Sequence, residues 1–341
     1  MKMHFTTTTV LLVSGLLNSA VAQVHMTASQ WDRNSALAAV RSVNIDLAIN
    51  EIDDLEDLQT LENRSDWPLP AREAAIYQYT RSLASAPRDA VDVDLMQYLG
   101  SYQAQVLVPH EDHRDAAVPL FNIRAAATGV ENGWLRGEAI AQAQVLLETD
   151  PAMLPGNFLK STSASQRSGF LHAVRQADLA RVQTVQLAAL DLLGTSPELT
   201  RLVAVTATMT ADPYATRRLL IDGSGSGLAK ALDDLGKQYS STELAALLKT
   251  GIEQAPPVNA ALAIAAWWPV LRHDAATRQL LIDNLNDPDL GSAIALALAQ
   301  SPDIQTIREL QLIAEGDSIS ARRAQMALSM NRDGLLEGLR Q

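Results

Sequence analysis

His110-Glu111-Asp112-His113 is the stretch whose residue types could do chemistry. Two imidazoles and two carboxylates in four consecutive positions are a donor set for Zn²⁺ or a similar ion, and a loop could wrap them around it. On a helix only His110 and His113 would share a face. The spacing is not H-E-x-x-H, because His113 comes only three residues after His110. The competing reading is a polar surface loop whose charges meet water or Arg114. These four are the candidate metal ligands. No catalytic residue and no resident cofactor is assigned, so a metal-dependent enzyme using this loop is the alternative to a non-catalytic chain.

Other stretches carry less chemistry. Gly223-Ser224-Gly225-Ser226-Gly227 matches phosphate-binding loops only in composition: it follows a helical pattern, lacks a Lys-Ser/Thr ending, and has Gly225 where a nucleophile elbow needs Ser. It reads as a flexible joint. Trp267-Trp268 sits near a helix end, and neighbouring helix residues point about 100° apart. That spacing predicts one indole in the core and one partly exposed, free to anchor a partner or a glycan. No S-x-x-K arrangement occurs and the chain has no Cys, which excludes a serine–lysine hydrolase signature and a disulfide framework.

The elements that must position these groups are helices. Hydrophobic residues make up 47% of the 341-residue chain but aromatics only 4%, so Ala and Leu carry the core, as suits closely packed helices. Lys2, the apolar Val10–Leu17 run and Ala20-Val21-Ala22 read as an export signal cleaved after Ala22. Beyond it no apolar run is long enough to span a membrane. The net charge is −12, one unit more negative without Lys2, and such a surface repels nucleic acid and anionic lipid.

After residues 1–22 the chain divides into blocks. Residues 23–70 read as acidic helices opened by a Thr27/Gln30 capping box, with eight carboxylates and one Arg, Arg64, between Asp46 and Asp66. That acidic run reads as a solvated face, or as a dock for a basic partner. Residues 71–118 hold a helix pair and a long non-helical segment from Gln103 to Pro119. Helix pairing resumes near Leu120, with a second helix opening at Leu135, and continues irregularly to residue 250; Ser163 with Gln166 and Ser240 with Glu243 are capping boxes. Residues 251–341 are more regular. There LLIDNLNDPDLGSAIALALAQ is followed by QLIAEGDSISARRAQMALS, with Asp287 matching Asp317 at a 30-residue period. A period in that range signals stacked helix–turn–helix units.

These units resemble HEAT repeats, whose second helix carries apolar–Arg–x–x–Ala–Ala–x–Ala–Leu–Gly after an Asp-bearing turn. Leu135-Arg136 with Ala139 keeps the Arg; Val185-Gln186 with Ala189, Leu193 and Gly194 lacks it, as does Leu290-Gly291 with Ala295, Ala297 and Leu298. The resemblance implies an all-α superhelical array of antiparallel helix pairs, a HEAT-like α-solenoid. It also implies a binding scaffold whose second helices line the concave face. On that alignment these helices begin at Leu135, Val185, Leu228, Asn259, Gly291 and Ala321, and outward-facing Arg136, Gln186, Asp233, Asp234, Trp267, Arg322 and Arg323 would meet a partner. The resulting expectation is an exported, periplasmic, monomeric adaptor for another protein, with an envelope-glycan binder as a further alternative.

Overall fold

The computed structural model describes residues 29–113, 116–301 and 303–338; the expected export signal and Thr27 lie outside them. Among the described residues the protein is all-α apart from one small sheet, with eighteen α-helices and three short strands. None of these helices is long and apolar enough to cross a membrane. Two compact units divide between Glu131 and Asn132.

The first unit is built on α4 (Leu69–Ser82), whose Ala71, Ala74, Ala75 and Ile76 are buried. Around it pack α1 (Arg33–Arg41), α2 (Ile45–Ile49) and α3 (Leu55–Glu62), and α5 (Val93–Ser101) contacts α3. Small side chains let these neighbours approach closely. β1 (Ser29–Gln30) runs parallel to β2 (Val106–Pro109), and β3 (Ala117–Pro119) pairs antiparallel on the other side of β2. The expected long loop over 103–119 is therefore a β-hairpin, because Val106 and Val108 point into the core while Leu107 alternates outward. Gln30 pairs with Leu107 in β1 and does not belong to a capping box. The first helix is capped by Asp32, whose carboxylate accepts from the Ser35 amide.

Leu135 does not open a second helix. α6 runs unbroken from Ile123 to Thr149, through Gly129, Gly133 and Gly137. Glycine lowers helix propensity but keeps the N–H that proline lacks, so these positions do not break the ladder.

The second unit continues with α7 (Leu154–Lys160), α8 (Ala164–Gln176), α9 (Leu179–Leu192), α10 (Pro197–Thr210), α11 (Pro213–Asp222) and α12 (Leu228–Gly236). It ends with α13 (Ser241–Gln254), α14 (Pro257–Leu271), α15 (Ala275–Asp283), α16 (Gly291–Ala299), α17 (Ile304–Ala314) and α18 (Ile319–Gly338). From α8 onward each even-numbered helix packs on the even-numbered helices before and after it, and α9, α11, α13 and α15 contact in series. The odd-numbered helices from α9 to α17 start alike: Asp178, Asp212, Ser240, Asp274 and Asp303 each accept from a first-turn amide. Both second-unit capping boxes read from the sequence form, at Ser163 and Ser240.

Two local expectations change. The Val185 stretch belongs to α9 and so lies in the odd-numbered series, whereas Leu228, Asn259, Gly291 and Ala321 lie on even-numbered helices. An Ala/Leu pattern serves either layer equally well, so it cannot assign one. The glycine-rich turn is also no loose joint. Gly223 and Leu228 are buried, the Ser224 amide donates to Thr200 Oγ1 at 2.9 Å, and Gly225 takes φ +84°. Glycine is needed there for that left-handed conformation and for close approach to α10.

Candidate functional site

The histidine stretch forms the turn of the β2–β3 hairpin. The His110 amide donates to the Ala116 carbonyl, and His110 Nδ1 accepts from the Asp112 and His113 amides at 3.1 and 3.2 Å. One nitrogen of that ring is thereby committed to the turn. The two imidazoles lie 5.2 Å apart, and Glu111 pairs with Arg33 at 2.6 Å. Among the described residues no group of three or more His, Asp or Glu is arranged to hold a metal ion.

A polar cluster that the sequence did not suggest anchors this hairpin. Glu73 on α4 is fully buried and accepts from the Gln105 and Val106 amides at 2.5 and 3.2 Å, holding the start of β2. Desolvation pushes its carboxyl above the usual carboxylate range, against the lowering effect of those two amides. Beside it Tyr98 donates to Glu62, Arg72 donates to the Glu62 carbonyl, and the buried Tyr102 hydroxyl and Arg72 Nε have no partner. Burial first, and the nearby carboxylates second, push both tyrosine hydroxyls up. The signal available in the sequence was a Glu beside Arg72 in the otherwise apolar stretch Ala71–Ile76.

The residues expected to face a partner divide into three groups. Arg136 and Arg322 are exposed. Asp233 and Asp234 also reach solvent, but Lys237 pairs with both and Lys230 pairs with Asp234, so this patch is locally balanced rather than acidic.

The remaining three are used inside the fold. Gln186 is buried: its amide nitrogen donates to Asp212 and its oxygen accepts from Thr210, tying α9 to the cap of α11. Trp267 and Trp268 are both buried, which overturns the expected exposed indole. Helix α14 packs against α12, α13 and α16, so its covered arc spans more than one residue direction. Trp267 lies against Gly236, where a Cβ would come within 2.8 Å of its ring, and its Nε1 donates to the Leu232 carbonyl at 2.8 Å. Arg323 is half-buried and donates from Nη1 to the Leu285 and Asp287 carbonyls at 2.7 and 2.6 Å. It fills the space over Gly291 that a side chain would occupy. Asn259 acts in the same way two pairs earlier, donating to the Leu220 and Gly223 carbonyls. Asn259 and Arg323 each reach from an even-numbered helix to the end of the odd-numbered helix of the preceding pair, or to the turn just after it.

A groove of 390 Å³ lies on the even-numbered helices, across α8, α10 and α12. Ala204, Val205, Met209 and Ala231 supply its apolar part, and Arg175, Asp234 and Lys237 supply its charges. Two further cavities lie elsewhere. One of 800 Å³ in the first unit is bordered by Glu51, Glu56, Asp57 and Asp66, and one of 470 Å³ lies between α13 and α15. Compared with protein-family models, curated proteins and solved structures, the chain matches none of them.

Proposed function

We propose that this protein is an exported, non-catalytic scaffold of the cell envelope that binds another protein through the even-numbered helices of a HEAT-like array. The observation that carries the reading is the repeated tie between successive pairs. Asn259 and Arg323 each satisfy carbonyls at or just past the end of the odd-numbered helix of the preceding pair, and the odd-numbered helices share one type of N-cap. Units held by such neighbour-to-neighbour contacts stack in series, and stacked arrays expose long binding faces. The groove on α8, α10 and α12 supports placing that face on the even-numbered series.

In-cell photo-crosslinking tests the reading. A crosslinking residue at Val205 or Leu296, on the even-numbered series, should trap one defined envelope protein. The same residue at Leu187 or Leu312, exposed on the odd-numbered series, should not. Equal trapping from both series, or none from the even-numbered one, would overturn it. N-terminal sequencing of the mature protein should find Gln23 first.

A further inference from the structure

Resting on that reading, we infer that the groove across α8, α10 and α12 takes an extended segment of the partner that presents an apolar side chain next to a carboxylate. Three observations point to this occupant. The volume, 390 Å³, falls in the range of pockets that hold small ligands and accommodates a few side chains. Its base is apolar and shallow, made by Ala204 and Ala231 with Val205 beside them, and Met209 at the edge can adjust to the shape of an incoming side chain.

The third observation is charge. Asp234 is already neutralised by Lys230 and Lys237, whereas Arg175 makes no ion pair among the described residues and opens onto the groove. The groove therefore carries a surplus of positive charge on a chain whose net charge is −12. A carboxylate finds its complement at Arg175, and elsewhere on the chain it meets predominantly negative charge. Like-charge repulsion away from the groove favours specificity over general stickiness. Gln238 at the rim offers an amide that can both donate to and accept from a passing backbone.

Selection from a displayed library of random heptapeptides on the intact protein tests the occupant class. The wild type should enrich sequences in which Leu, Ile or Met neighbours Asp or Glu. Val205→Trp, which fills the apolar base, should abolish enrichment. Arg175→Glu changes only an exposed side chain and should leave folding unaffected, while shifting the selected residues from Asp/Glu to Lys/Arg. A synthetic copy of the strongest wild-type peptide should bind Arg175→Glu at least about tenfold more weakly, because the variant places like charges together. Enriched peptides lacking a carboxylate, or insensitive to Arg175→Glu, would overturn the class while leaving the scaffold reading intact if crosslinks at Val205 persist. Loss of both the peptides and the even-series crosslinks would overturn the two together.

Discussion

Replacing Arg323 with Met keeps an aliphatic stem and removes the guanidinium, which separates a structural role from a binding one. Arg323 Nη1 donates at 2.7 and 2.6 Å to the Leu285 and Asp287 carbonyls, and Nη2 lies 3.3 Å from the Pro288 carbonyl. A hydrogen bond from a charged donor contributes about 1.5–3 kcal/mol net. Arg323 is half-exposed, so water replaces part of what is lost, and only the two short bonds are counted, each at the lower bound. The expected cost is then about 3 kcal/mol, or roughly 6–12 °C in melting temperature for a unit of this size. Arg322→Met, at an exposed neighbour with no tie to the preceding pair, should stay within about 0.5 kcal/mol of wild type. Urea unfolding followed by the fluorescence of the buried Trp267 and Trp268 measures both variants. If Arg323→Met were as stable as Arg322→Met, the tie between α18 and the α15–α16 turn would not stabilise the protein, and the reasoning behind the stacked array would fail.

Four further outcomes are expected. Glu73 has a raised carboxyl pKa, so the stability tied to its protonation is present below the ordinary value of 4.5 and lost as pH rises through the folded-state value. Unfolding of Glu73→Gln should lack that decline as pH rises above 4.5; at neutral pH the variant leaves one of the two β2 amides without an acceptor, costing about 1–3 kcal/mol. An unchanged pH profile would count against the assignment. Gly236→Ala places a methyl against Trp267 and should destabilise by about 1–3 kcal/mol, with indole emission shifted to the red in the native state; a neutral effect would mean that Trp267 can move aside. His110→Ala removes the acceptor for two turn amides and should cost about 1 kcal/mol by thermal melting. Equimolar Zn²⁺ should leave the wild-type melting temperature unchanged, and a Zn²⁺-dependent rise abolished by His110→Ala and His113→Ala would restore the metal reading.

The sequence by itself determined what depends on neighbours a few residues away. Ser163 with Gln166 and Ser240 with Glu243 close capping boxes within one turn, and Ala/Leu-rich runs with Pro at the first helical positions were sufficient to make the protein all-α. The hairpin was half legible: Gln103–Pro119 was recognisably non-helical, but its β pairing needs a partner at Ser29–Gln30, far away in the chain. Only the tertiary structure decided which helix belongs to which series and which polar groups remain for binding. Val185 and Leu228 begin similar apolar stretches, and nothing local says that one lies on an odd-numbered helix and the other on an even-numbered one. Trp267, Gln186 and Arg323 look like surface residues in a helical projection, but each bonds to a residue outside its own helix, Leu232, Asp212 or Leu285. Glu73 is silent for the same reason, because the Gln105 and Val106 amides that hold it lie more than thirty residues onward. Local hydrogen bonding is encoded within a turn or two of chain, whereas burial is set by all the elements that surround a side chain, and those are brought together only when the helices pack.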